Sequence, residues 1–360
     1  GDSGPAMLHT LPSDTLVLIS DFLESHSFSH TCAIIWCILQ GRHVAYEVRD
    51  TELLRLLPVL CNNQHTRTLR VRCRSMRESV AYALPQLNDA STLVHLDLDL
   101  VARCVNSGWV MALAALNESL ALRSLRLNAN TAGPNTAMGA VGAAALAQLN
   151  TAPALESLVL NLGGNSIGNR GAHFLGRLRE SPSLHMLHLE LQQNNISEQG
   201  AWELALLRDM PRLQVLKIVL WGNSVAASGC QALAQLCKAT HLHTLRLDLT
   251  RNGIRDPGAT ALAGLAALPS LTALDLGLWG NGITSVGAKA LASLKDGHAL
   301  QALSLELGDN NIGPDGALAL VELKQCTCLR ALQLSLSGNP IGNKCIVGGL
   351  GQLGQAPALE

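Results

Sequence analysis

Along most of the chain, leucines recur in short alternating runs, and each run is followed by apolar residues at helical spacing. The cycle is 29 residues long, opened in turn by Leu155, Leu184, Leu213, Leu242, Leu271, Leu300 and Leu329. Within a unit the pattern is L-x-x-L-x-(L/I)-x-L-x-x-N-x-(I/V), as in Leu155, Leu158, Leu160, Leu162, Asn165 and Ile167. Alternation at period two predicts a strand with one buried face. An asparagine closes each run: Asn165, Asn194, Asn223, Asn252, Asn281, Asn310 and Asn339. A side-chain amide both donates and accepts, so a stack of them would satisfy backbone groups that strand pairing leaves open. Six residues on comes a glycine (Gly171, Gly200, Gly229, Gly258, Gly287, Gly316), replaced by Cys345 in the last unit. Beyond it Ala172, Leu175 and Leu178 predict a helix, and Pro153, Pro182, Pro211 and Pro269 stop such helices ahead of the next strand.

Each unit is therefore one strand, one turn and one helix. Alone it cannot bury its apolar side, but stacked units share a continuous core. Helices are wider than strands, so the stack bends, with a parallel sheet on the concave face and helices on the convex face. The fold class is α/β. The motif resembles the ribonuclease-inhibitor type of leucine-rich repeat, also found in Ran GTPase-activating proteins and in NACHT-type immune receptors. The resemblance covers about residues 90–360 and implies a leucine-rich-repeat solenoid, or horseshoe. In one respect the sequence departs from that type. The usual motif is L-x-x-L-x-L-x-x-N, matched by the Leu122 unit through Leu122, Leu125, Leu127 and Asn130. The other units carry two more residues and one more leucine, so a longer strand and a deeper concave wall are expected.

The Leu122 unit has 33 residues, and its extra length falls in residues 131–138, where Gly133 and Pro134 indicate a turn. That insertion reads either as a binding loop at the rim or as neutral decoration. The Leu93 unit has Arg103 where the asparagine belongs, and residues 66–71 with Leu69 resemble a degenerate first unit. Residues 66–360 then form a leucine-rich-repeat domain of about 9–10 repeats, and residues 1–65 a helical N-terminal cap or F-box-like segment. Leu359 opens a further unit, so the repeat is expected to run on past residue 360, and Gly1 to Ala6 read as a vector-derived stretch ahead of Met7.

The N-terminal run LPSDTLVLISDFLESHSFSHTCAIIW is similar to an F-box, through Leu11, Pro12, Asp14, Leu16, Ile19, Phe22, Leu23, Phe28 and Ile34. The family's tryptophan is displaced, with Trp36 out of register. The resemblance implies that Leu11, Pro12, Leu16, Ile19 and Leu23 would dock a Skp-type adaptor of a ubiquitin ligase while the repeats select the substrate. A plain helical cap would show the same Leu-Pro and periodic apolar residues, and both readings stay open.

Charge is balanced, 26 Lys+Arg against 27 Asp+Glu with no basic run, which argues against a nucleic-acid partner. Apolar stretches at 16–19 and 32–39 are too short for a signal peptide or a membrane span. Ten cysteines without a stapling pattern read as free thiols in a reducing compartment, cytoplasmic or nuclear. Cys326 and Cys328 lack the partner set of a zinc site. A literal G-x-S-x-G at Gly164–Gly168 is the repeat's own turn rather than a nucleophile elbow. With no phosphate loop, no dinucleotide fingerprint and no paired metal ligands, the reading is non-enzymatic, without cofactor or metal.

The candidate site is the concave face, where residues between the buried leucines point outward. One column reads Asp97, Arg126, Val159, His188, Lys217, Arg246, Asp275, Ser304, Gln333. The next reads Asp99, Asn128, Asn161, Glu190, Val219, Asp248, Gly277, Glu306, Ser335, and just beyond lie Trp221 and Trp279, two units apart. Partner-binding candidates are His188, Glu190, Lys217, Trp221, Arg246, Asp248, Asp275 and Trp279, and the partner is another protein. A GTPase activator of the Ran type would need a placed arginine, for which Arg103 and Arg126 are the candidates.

Overall fold

A computed structural model of the chain describes residues 42–48, 50–73, 84–100, 107–131 and 137–342. Among the described residues, eleven strands form one open sheet in chain order: β1 His43–Val48, β2 Thr68–Cys73, β3 His95–Leu100, β4 Ser124–Asn128, β5 Ser157–Asn161, β6 Met186–Glu190, β7 Val215–Val219, β8 Thr244–Asp248, β9 Ala273–Gly277, β10 Ala302–Glu306 and β11 Ala331–Ser335. Neighbours are parallel throughout, and each connection from β6 onward crosses over through a helix and a short 3-10 turn. Strands thus make one wall of the molecule and helices the other. Strands sit about 4.8 Å apart, whereas packed helices need about 8–10 Å. The sheet is therefore the inner wall of the arc.

Alternation does the sorting. In β6 Leu187 and Leu189 are fully buried, while Met186, His188 and Glu190 face outward and are half-buried. The register pairs apolar residue with apolar residue, mostly leucine with leucine, so the buried rows run as ridges through one continuous core. The helical stretch has two parts. Gly168–Gly176 is α-helical and carries Ala172 and Leu175 into the core, and Arg177–Glu180 tightens into a 3-10 turn that buries Leu178.

The recurring glycine has a steric cause. A Cβ on Gly200 would lie 2.6 Å from Ile196 Cγ2 of its own unit and 3.2 Å from Ala172 Cβ of the preceding helix. Small residues on facing helices (Gly200 against Ala172, Gly229 against Ala201, Gly258 against Cys230) set the close helix spacing. Cys230 takes the alanine position and is fully buried, which pushes its thiol up to about 12. It is a core residue, not a nucleophile.

The asparagines form a clamp between units. Asn252 Nδ2 donates to the Leu220 carbonyl of the preceding unit (2.9 Å) and to its own Thr250 carbonyl (3.1 Å). Its Oδ1 accepts from the Val225 amide (3.1 Å). Asn194 holds two amides of the preceding unit, Asn165 N (2.9 Å) and Ile167 N (3.1 Å), and donates to the Leu162 carbonyl. Asn165, Asn194, Asn223, Asn281, Asn310 and Asn339 all donate to a carbonyl one unit back in this manner. Six of the seven are buried.

Three expectations need correction or extension. β1 lies within the stretch assigned to the cap, and it pairs along its length with β2, so among the described residues the sheet extends one strand ahead of the degenerate unit. The strands of the long units are not longer: β5 to β11 each span five residues, like β4. The additional leucine (Leu162, Leu191, Leu220, Leu249, Leu278, Leu307) instead lies beyond the strand end, fully buried. Backbone bonding between units continues there, from Leu162 N to the Glu190 carbonyl and from Gly164 N to the Gln192 carbonyl. The third correction is Asn130, which is exposed and makes no clamp. β4 aligns with β5 at an offset of 33, placing Ala129 where the others have Leu162, and the Ala129 carbonyl takes the Asn165 amide. The Leu122 unit therefore has the same long form as its neighbours.

Candidate binding wall

Leucines turned inward force the residues between them outward, and in-register pairing lines these up across strands. His188, Lys217, Arg246 and Asp275 stand side by side on β6, β7, β8 and β9. Glu190, Val219, Asp248 and Gly277 form the adjacent column. Both columns continue further toward the N-terminus than the sequence reading took them, through Arg70 and Ala45 in the first and Arg72 and Glu47 in the second. The alternating Leu69 and Val71 carried that signal. Residues 11–23 and Arg103 lie outside the described residues, and Arg126 is an exposed member of the first column.

Charges on the wall are organised, not random. Arg246 Nε lies 3.3 Å from Asp275 Oδ2. Asp248 Oδ1 accepts from the Thr250 amide at 3.0 Å. It also leans over Gly277, where a Cβ would come within 2.8 Å of the same oxygen. His188 Nε2 is 3.6 Å from Glu190 Oε1. Burial, followed by the positive charges of Lys217, Arg246 and Arg126, holds the His188 imidazole down to about 4, so it is neutral at pH 7. Lys217 is half-buried and makes no ion pair or hydrogen bond among the described residues. Beside it a shallow cavity of about 420 Å³ opens over β8 to β11, lined by residues including Lys217, Arg246, Ala273, Ala302, Ala331 and Gln333.

The two tryptophans sit in the turns just past β7 and β9, half-exposed. Trp279 is already engaged within the chain. The Arg251 guanidinium lies 4.8 Å from its ring centroid, and the ring covers Gly308, where no Cβ could fit. Arg251 takes a left-handed backbone (φ 53°) in making this contact. Trp221 shows no such stacking among the described residues. A third tryptophan, Trp202, is 53% exposed on the helical wall, away from these columns.

The Leucine Rich repeat family matches residues 241–263, 267–292 and 303–321, the units of β8, β9 and β10. The chain folds as a leucine-rich-repeat solenoid. Among solved structures it is similar to the internalin inlF of Listeria monocytogenes, with 17% identity and a TM-score of 0.46, over 98% of this chain and 99% of that one. No curated protein matches the chain. Solenoids of this kind present extended concave surfaces that commonly bind other proteins. Among the described residues, no helix is long and apolar enough to cross a membrane.

Proposed function

We propose that the chain is a non-enzymatic interaction module that holds another protein against its sheet wall, around His188, Glu190, Lys217, Trp221, Arg246, Asp248, Asp275 and Trp279. The observation that carries this reading is the fixed alignment of those polar side chains on a sheet whose units are clamped together by buried amides. A rigid wall loses little conformational entropy when a partner docks, so its contacts convert efficiently into affinity. Trp221 and Arg246 are the residue types that most often dominate such interfaces. The buried, unpaired thiols of Cys230 and Cys326 support an intracellular setting.

The test compares partner capture by the intact chain, by a Trp221→Ala/Arg246→Glu variant and by a Trp202→Ala variant. The wall variant is expected to weaken capture by more than about 30-fold, the loss that a central anchor typically causes. The helix-side variant is expected to retain it. Capture lost with Trp202→Ala and kept with the wall variant would place the interface on the other side.

A further inference from the structure

The uncommitted charge and the cavity beside it define what the wall selects. Lys217 is the one lysine in the central columns, and its neighbours cannot serve it. On one side His188 is neutral at pH 7. On the other, Arg246 is turned to Asp275. Of the nearby carboxylates, Asp248 is held by the Thr250 amide, and Glu190, 3.6 Å from the neutral His188, makes no ion pair with Lys217 among the described residues. A half-buried ammonium without a counter-ion is complementary to a carboxylate brought by a partner. Next to it the cavity floor over β9, β10 and β11 is made by Ala273, Ala302 and Ala331, with Leu274, Leu303 and Leu332 between them. Ser304 and Gln333 extend the side that begins with the Arg246–Asp275 ion pair. Small side chains there leave room for an aliphatic group, and the alanine methyls offer it an apolar seat.

Geometry sets the spacing. Lys217 aligns with Ser304, so Ala302 lies three strands away and two residues back along the strand, roughly 16 Å at about 4.8 Å per strand and 3.3 Å per residue. An extended chain rises about 3.3 Å per residue, so that distance is about five residues. We infer that the wall recognises an extended segment of a protein partner in which an Asp or Glu, seated on Lys217, lies about five residues from a Leu, Ile, Val or Met seated over Ala302. This inference rests on the concave-wall reading above and adds the chemistry of the occupant.

The probe is a displayed library of random 12-residue peptides, selected on the whole chain with no partner assumed. Enriched peptides should pair an acidic residue with an aliphatic one at that spacing. A synthetic peptide of the enriched sequence should bind about tenfold more weakly to Lys217→Ala, as expected for loss of a charge pair at an interface. Ala302→Trp, checked for an unchanged thermal transition, should block the aliphatic contact. If that variant does not fold, Lys217→Glu replaces it, and a peptide whose acid is changed to lysine should then regain binding. Enriched peptides that respond to Trp221→Ala or Arg246→Glu but lack the spacing overturn this inference and leave the wall reading intact. Peptides indifferent to every wall substitution sink both, and a library that yields no enrichment counts against the pocket.

Discussion

From β5 onward each unit reaches back to its predecessor with an asparagine, buried in six of seven, whereas β2 and β3 meet beneath ion pairs open to solvent. Eight residues on from the strand start, where β5 has Asn165, the sequence after β1, β2, β3 and β4 has Thr51, Met76, Arg103 and Ala132. In the early units Arg70 Nε lies 2.8 Å from Asp97 Oδ2 and Arg72 Nε lies 3.2 Å from Asp99 Oδ2. Asn128 Nδ2 donates to the other Asp99 oxygen at 2.9 Å. Both regions stack the same brick, but one uses amides that satisfy buried backbone and the other uses ion pairs that water screens. A buried group left without its partner costs about 1–3 kcal/mol, while an exposed pair contributes about 0–1 kcal/mol. Because a solenoid's stability is close to a sum over neighbouring units, the chain should loosen from the N-terminal units first.

The sharpest way to break this comparison is Asn252→Ala. It strips the acceptor from the Val225 amide and the donor from the Leu220 and Thr250 carbonyls, and should cost about 4 kcal/mol in urea unfolding. Loss below about 1 kcal/mol would mean that the clamp is incidental. The next largest effect concerns pH. Between about 6.5 and 4 the unfolded chain takes up a proton at residue 188 that the folded wall resists, since burial and neighbouring cations lower its imidazole to about 4. Stability should therefore fall as the pH drops through that window, by up to about 3 kcal/mol, and this contribution should level off below it. Denaturant midpoints of His188→Gln at pH 7.5 and 4.5 should differ less than those of the unaltered chain.

Arg251→Ala removes the cation over Trp279 and should cost about 1 kcal/mol, with a shift in tryptophan emission as the ring over Gly308 becomes more exposed. At the other end of the solenoid, Arg72→Ala should change stability by no more than about 0.5 kcal/mol, and salt should mask even that. A cost comparable to Asn252→Ala would erase the distinction between the two regions.

What could be read from the sequence follows the same division. The units from Leu155 to Asn339 were legible because leucine, asparagine and glycine recur at constant intervals, and each interval has a mechanical cause. β1 was not, since HVAYEV has no leucine and its partner strand has only Leu69 and Val71 to mark it. Strand length was misjudged because an apolar residue at alternating spacing looks the same in a strand as in the buried turn that follows. Leu162 is such a residue. Asn130 was misplaced because an insertion hides the offset, which only the pairing of Asn128 with Asn161 reveals. On the sheet wall, period-two alternation groups His188, Lys217, Arg246 and Asp275 in one column, and the strand register shows the same column. The private commitments within those columns (Arg246 to Asp275, Arg251 over Trp279, Lys217 left alone) depend on how side chains lean across units, which periodicity does not encode.

The wall reading is tested most directly by where a partner touches the chain. A photo-activated crosslinker placed at Ser304, on the sheet wall, and in a second protein at Thr260, on the helical wall, reports this in one experiment with the captured partner. The account predicts a covalent adduct from position 304 and none from position 260. An adduct from position 260 alone would contradict it.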